Sequence, residues 1–448
     1  MKNVLEWLEV TVEKYPDKPA FSDTESSITF RQVYDIARNT GAYLIEQLGV
    51  DRTPVAVFAG RKMVTPAYFL GVVYAGRPYA PIDASLPDKR IEKILENLCP
   101  RAIVADRESL EHVESIVDEL EKSEGFDRPQ IFIAEDISRF EPVACADSNC
   151  KISESAGDAV TDSENDTDSG VVASCAGKTD DSSLEKLATV RRHMSMTDPL
   201  YIIYTSGSTG NPKGVMTSHL SLMTYINAYC DVMHIEGEDV LGNQSPLDYI
   251  AAIRDIYLPL KTGCSTAIIP KEYFMEPNAL FDYMNEKRVS SVGWSVSAFT
   301  ILTSLGAFEE TGLKSLRKIC FSGSVMPCRV LRKWQENLFE AHFVNQYGPT
   351  EATASCTYYS VDHTVEDNEV LPIGKAYDNY RVFLIDEHGN EPAVGEQGEI
   401  CVCGPILALG YYNDKERTDA AFTLNPLFTF RNGNRGERQI GGLQICQN

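Results

Sequence analysis

The stretch Tyr201-Ile-Ile-Tyr-Thr-Ser-Gly-Ser-Thr-Gly-Asn-Pro-Lys-Gly-Val215 joins an apolar, strand-like run to nine residues, Thr205 to Lys213, whose side chains are all small, hydroxylated, amide, cationic or proline. Glycine permits close backbone approach and positive φ, exposed amides and hydroxyls donate hydrogen bonds, and Lys213 adds a positive charge. Together these are the requirements of a loop that grips a polyphosphate, with Thr205, Ser206, Gly207, Ser208, Thr209, Gly210 and Lys213 as its candidate ligands. A serine- and glycine-rich linker would need neither the strand before it nor the Lys-Gly-Val re-entry after it. The loop is not the GxxxxGK[ST] phosphate loop, because Pro212 stands where the second glycine is required and Gly214 where the Ser or Thr is required.

On both sides of this loop the pattern is α/β. Val55–Ala59, Ala102–Ala105 and Gln130–Ala134 read as short buried strands separated by helical spacings at Phe30–Leu48 and Thr65–Ala75, and parallel pairing is the economical topology. Thr65 is expected at the N-cap of its helix, with Pro66 at the first helical position. Glu141 to Leu200 contains no Phe, Tyr or Trp, and residues 141–186 carry 11 acidic and 3 basic side chains. Such a segment buries too little apolar surface to offset the entropy of ordering it, and 141–198 is expected as a disordered acidic insertion. The expected organisation is 1–140 as a first α/β subdomain, 199–370 as a second, 371–428 as a small β-barrel-like subdomain, and 429–448 as an aberrant tail that fits neither period.

The whole chain of 448 residues has 41 Lys+Arg against 65 Asp+Glu, a net charge of −24. That excess disfavours nucleic acid and anionic membrane as partners, since affinity for both depends on basic side chains. No run approaches the roughly 18–20 apolar residues of a membrane helix, no signal-peptide pattern opens the chain, and a cytoplasmic location is expected. The 12 cysteines form no CxxC pair, and Cys401 and Cys403, two apart on a probable strand, read as buried thiols and not as metal ligands.

A second motif, Asn345-Gln-Tyr347-Gly348-Pro349-Thr350-Glu351, supplies a π-face in Tyr347 for a base and a sharp turn at Gly348-Pro349. It then offers a single carboxylate, Glu351, of the kind Mg²⁺ takes together with substrate phosphates. With Ala75-Gly-Arg-Pro-Tyr-Ala-Pro-Ile-Asp83 upstream and Gly398-Glu-Ile-Cys-Val-Cys-Gly-Pro405 through Gly410-Tyr-Tyr-Asn413 downstream, four motifs stand in the order of the adenylate-forming superfamily. The chain resembles acyl-CoA synthetases, luciferases and nonribosomal peptide synthetase adenylation domains. It is closest in kind to amino-acid adenylation domains and D-alanine carrier-protein ligases.

The resemblance implies the large N-terminal part of that fold, with ATP and Mg²⁺ as cofactors. It also implies attack of a carboxylic, and by kind an amino, acid on the α-phosphate to give an acyl-adenylate, and a carrier protein with phosphopantetheine as the partner receiving the acyl group. By resemblance, Thr205, Lys213 and Glu351 are catalytic, Glu351 holds the metal, Thr350 faces the α-phosphate, and Asn345, Tyr347 and Gly348 sit at the nucleotide. The pocket for the acid falls on Asp248, Trp294, Gly323 and Ser324, although alignment on Asp255-Ile-Tyr257 places the family's amino-group anchor at Ile250, two residues past Asp248. The family's YxTGD hinge and its small C-terminal domain with a catalytic Lys do not follow residue 428, so impaired catalysis is expected. The other reading left open is a non-catalytic, nucleotide-binding remnant serving as an interaction module.

Overall fold

The computed structural model describes residues 1–123, 125–140, 183–206, 210–424, 427 and 443–447. Its strands, in chain order, are β1 (Pro19–Ser22), β2 (Ser27–Thr29), β3 (Val55–Phe58), β4 (Tyr79–Pro81), β5 (Ala102–Ala105), β6 (Gln130–Ile133), β7 (Pro199–Thr205), β8 (Lys213–Ser218), β9 (Val240–Asn243) and β10 (Ser265–Ile268). They continue with β11 (Ser291–Ser295), β12 (Lys318–Ser322), β13 (His342–Tyr347), β14 (Thr357–Val361), β15 (Lys375–Ala376), β16 (Arg381–Ile385), β17 (Glu399–Cys403), β18 (Gly410–Tyr411), β19 (Phe422–Leu424) and β20 (Leu443–Gln447).

Two large sheets carry the fold. One runs β18-β8-β7-β4-β3-β5-β6 and the other β15-β14-β13-β12-β11-β9-β10-β1-β2. Pairing from β7 through β4, β3, β5 to β6 is parallel, as is pairing from β13 through β12, β11, β9, β10 to β1. Successive side chains on a strand face opposite ways. Val55 and Val57 therefore point into a core shared with the helices Leu5–Lys14, Phe30–Leu48, Thr65–Tyr74, His219–Met233 and Ala252–Thr262, while Ala56 and Phe58 point to the helices Asp88–Leu98 and Leu110–Leu120. The same inner core holds Leu241, Cys320 and Val344 of the second sheet, so those helices form the layer between the two sheets. On the far side, Val292, Trp294, Ile319 and Phe321 pack with Phe299 and Trp334.

Helices Phe30–Leu48 and Thr65–Tyr74 cross at two glycines. A Cβ on Gly41 would lie 2.6 Å from that of Tyr74, and one on Gly71 would lie 2.5 Å from that of Thr40. Thr29, not a residue of the helix itself, caps Phe30–Leu48 in a reciprocal pair with Gln32. Thr65 does not cap its own helix as expected. It is already the first helical residue, and its hydroxyl donates to the Gly60 carbonyl at 2.6 Å, tying the helix start to the loop after β3.

The expected division of the chain is corrected in three places. The sheets are not contiguous in sequence: β1 and β2 cross to the second sheet, with Phe21 paired to Thr266, while β7, β8 and β18 complete the first. Within 141–198, Ser183–His193 is a helix whose Leu187 and Val190 are buried in the inner core; residues 141–182 lie outside the described ones. The tail, of which 429–442 and 448 lie outside the described residues, ends in β20, which pairs antiparallel with both β17 and β19. The small sheet, β16-β17-β20-β19, therefore takes part of its backbone pairing from a segment that the sequence pattern places outside the fold. Among the described residues no helix is long and apolar enough to cross a membrane.

Candidate active site

The polyphosphate loop lies between two antiparallel strands, β7 and β8, which close with Thr205 opposite Lys213. It thus bends a hairpin and does not open a helix, consistent with the mismatches at Pro212 and Gly214. Gly210 has φ +78°, a conformation that glycine adopts without a steric penalty. Gly207, Ser208 and Thr209 lie outside the described residues. The next helix, His219–Met233, starts after the hairpin. Ser218 caps it by accepting from Ser221 N at 3.1 Å, and His219 is buried beside the cap, its pKa pushed down to about 3 by burial. His219 is thus a neutral core residue.

The short strand β18 brings the Gly410-Tyr-Tyr motif against this hairpin, Tyr411 pairing with Val215 and Tyr412 N donating to the Gly214 carbonyl at 2.7 Å. The same segment meets the second motif. Ala408 N donates to the Glu351 carbonyl at 2.8 Å, and Thr353 Oγ1 donates to the Ile406 carbonyl at 2.6 Å. Tyr411 joins all three. Its hydroxyl donates to Glu351 Oε1 at 2.6 Å, and its ring centroid lies 5.3 Å from Lys213 Nζ. Glu351 and Tyr411 are only 9% and 8% exposed, so the hydrogen bond is shielded from water. Burial, then the Glu351 carboxylate, hold the phenol well above its usual pKa, and it stays a donor. Sequence reasoning placed Tyr411 in a motif without giving it a role; a tyrosine following a strand glycine offered no local sign that it would reach residue 351.

Gly348 makes the turn of the second motif possible. A Cβ there would lie 2.4 Å from the Ser355 Cα, and the turn is closed by Cys356 N donating to the Tyr347 carbonyl at 2.8 Å. Thr350 and Glu351 occupy the short 3₁₀ turn that follows, and Tyr347 is half-buried at the end of β13. The Asn345 amide donates to the Pro372 carbonyl at 2.9 Å and holds the 370s loop against β13.

The acid-pocket candidates separate. Trp294 is a correction, being 0% exposed among Phe274, Phe299 and Trp334 on the far face of the second sheet, with its Nε1 donating to the Gly242 carbonyl at 2.8 Å. Its alternation with Val292 put it on that face. Gly323, φ +94°, and Ser324 are exposed at the end of β12, with open space where a Gly323 side chain would stand. Ile250, where the alignment placed the amino-group anchor, is 6% exposed in the inner core. Asp248 instead lines a cavity of about 660 Å³ together with Arg61, Lys62, Asp83, Gln244 and Glu272. Burial, then the neighbouring Asp83, raise its pKa to about 6. Thr205, Lys213 and Glu351 are not among the residues lining that cavity, so it is a separate site from the Lys213–Tyr411–Glu351 cluster. No group of three His, Cys, Asp or Glu that could hold a metal ion occurs among the described residues.

A hairpin carrying Lys213, the buried carboxylate of Glu351 and a strand motif that touches both are the frame of an adenylate-forming ligase. Residues 8–412 match the family described as AMP-binding enzyme, and the chain belongs to that family. A D-alanine–D-alanyl carrier protein ligase of Bacillus cereus (strain Q1) is 28% identical over 423 residues, which cover 94% of this chain and 73% of the relative. Among solved structures, the AMPPNP-bound form of the nonribosomal peptide synthetase FmoA3 has a TM-score of 0.75 at 21% identity, over 99% of this chain and 40% of that larger one. The N-terminal subdomain of Klebsiella oxytoca NpsA, in complex with 3-hydroxyanthranilyl-AMSN, has a TM-score of 0.72 at 17% identity, over 100% and 96%. The fold is that of the N-terminal adenylation subdomain.

Proposed function

We propose that this chain activates a carboxylic acid, by kind an amino acid, with ATP and passes it to the thiol of a carrier protein. A carboxylate oxygen of the acid attacks the α-phosphorus, the bond from that phosphorus to the oxygen bridging to the β-phosphate breaks, and acyl-adenylate and pyrophosphate result. The carrier thiol then takes the acyl group and AMP leaves.

The observation that supports this best is the Tyr411 clamp. It holds Glu351 by its hydroxyl while Lys213 rests against its ring, so one side chain links a carboxylate and the ammonium at the foot of the loop. In this reading Thr205, Ser206 and Lys213 bind the β- and γ-phosphates with Gly207–Gly210, Thr350 faces the α-phosphate, and Tyr347 stacks on adenine. Glu351 would hold Mg²⁺, which arrives with the phosphates and neutralises charge on them; one carboxylate fits an ion that draws most of its ligands from substrate and water. Against a net charge of −24, that local neutralisation matters more than usual. Asp248, in the cavity beside the second sheet, is the anchor for a substrate ammonium.

Calorimetric titration with Mg·ATP tests this reading. Lys213→Ala and Glu351→Ala each weaken binding at least tenfold. A wild-type chain that binds no Mg·ATP would favour the interaction module instead.

A further inference from the structure

Arg254 is 1% exposed in the helix layer between the two sheets, and among the described residues no carboxylate lies within ion-pair distance of it. A buried charge of this kind is expensive unless paired. Its guanidinium donates one hydrogen bond, to the Gly293 carbonyl, and rests 5.6 Å from the centroid of Tyr229. The Nε has no partner. Asp255, next in sequence, lies within Coulombic range of Arg254 but not in ion-pair contact with it, and accepts its hydrogen bond from Asn243 Nδ2 at 2.8 Å.

Two further buried polar groups are under-satisfied. The Tyr225 hydroxyl is in weak hydrogen-bond contact with Arg254 and Ser355, short of normal geometry with either. Gln346 Nε2 is free, while its Oε1 accepts from Ser355 Oγ at 3.3 Å. Gly293 leaves the room: a Cβ there would lie 2.6 Å from the guanidinium carbon.

Strand register locates this group relative to the nucleotide motifs. Gly293 pairs with Cys320 and Ser295 with Ser322, the residue before Gly323, while Ser322 pairs with Gln346. Gln346 immediately precedes Tyr347 and so lies at the edge from which the second motif emerges. Gly293 lies two residues deeper, about 7 Å at 3.3 Å per residue. The unpartnered donors thus run inward from the edge, at Gln346, toward Arg254.

We propose that Arg254, with Tyr225 and Gln346, receives an anionic group at the far end of the acid that is activated, so that the substrate is a short dicarboxylate or an amino acid with an acidic side chain. This rests on the ligase reading above. A guanidinium fork meeting a carboxylate gives strong, geometrically selective hydrogen bonds, and a neutral isostere would leave the buried charge unpaired. Arg254 is then a specificity residue, remote from the phosphates.

The test uses unreactive acyl-adenylate mimics on the full chain: sulfamoyl adenosine itself, and its butanoyl, pentanoyl, succinyl and glutaryl derivatives, titrated calorimetrically. Succinyl or glutaryl should bind at least tenfold more tightly than the neutral derivative of equal length. Arg254→Met, close in volume, should bring the two within threefold and leave sulfamoyl adenosine unchanged. The wild-type series decides the question even if that variant does not fold. Equal or tighter binding of the neutral derivatives, with sulfamoyl adenosine bound, overturns the assignment and makes Arg254 a structural residue. Failure of every nucleoside to bind overturns the ligase reading, and the assignment with it.

Discussion

Replacing Tyr411 by Phe removes one oxygen and leaves the ring where it is. The lost hydrogen bond, 2.6 Å to a carboxylate, lies between two side chains less than a tenth exposed, so water does not replace it. Hydrogen bonds to charged groups contribute about 1.5–3 kcal/mol, and a loss of about 2 kcal/mol is expected here. The contact of Lys213 with the ring, 5.3 Å to the centroid, survives. Two readouts follow. The urea midpoint falls at unchanged slope by the equivalent of about 2 kcal/mol. Affinity for Mg·ATP falls about tenfold, the usual cost of freeing a metal-binding carboxylate from its orienting partner. A cycle with Glu351→Gln isolates the pair, and a coupling of at least 1 kcal/mol is expected, with Tyr411→Phe having little effect once residue 351 is neutral. Additive losses, or a folded Tyr411→Phe protein with wild-type affinity, would refute the idea that Tyr411 holds Glu351 for the nucleotide.

The pKa of Asp248, raised to about 6, gives a signed pH dependence. A carboxyl whose folded pKa is raised favours the folded state below its unfolded value near 4, and that advantage is lost as pH rises through about 6. Asp248→Asn should therefore stabilise the protein at pH 8, by about 1–3 kcal/mol in denaturant titration, and leave it little changed at pH 4. If Asp248 anchors an ammonium, the KM for an amino acid rises as pH falls below 6 in the wild type, and this dependence disappears in Asp248→Asn. Gly41→Ala should destabilise by about 1–3 kcal/mol, because the added methyl meets Tyr74 and the Gly71 carbonyl at a helix crossing; an unchanged thermal midpoint would contradict the packing. Leu187→Ala should cost about 2–4 kcal/mol if Ser183–His193 belongs to the core, and almost nothing if that helix is not docked.

What could be read from the sequence was local. The strands Val55–Phe58, Ala102–Ala105 and Pro199–Thr205 and the turn at Gly348 are each encoded within a few residues by apolar runs, glycine and proline. The partition into sheets was not, since pairing Phe21 with Thr266 depends on chain some 245 residues away, and nothing in either strand names its partner. Helix Ser183–His193 did carry a signal in the spacing of Leu187, Val190 and Met194, which the acidic composition upstream obscured. Trp294 was misplaced because a single aromatic says nothing of its face, whereas its alternation with Val292 does. Arg254 escaped notice as one charge in the helix Ala252–Thr262, and only its burial without an ion-pair contact among the described residues sets it apart.

The central claim is that this site joins an acid to the α-phosphate of ATP. Incubating the chain with ATP labelled at the α-phosphate, Mg²⁺ and each of a panel of acids, then separating the nucleotides, tests it directly. Label should pass to an acyl-adenylate only when the right acid is present, with pyrophosphate released and the transfer lost in Lys213→Ala. Label recovered in ADP, or conversion to AMP that is indifferent to the acid, would contradict it.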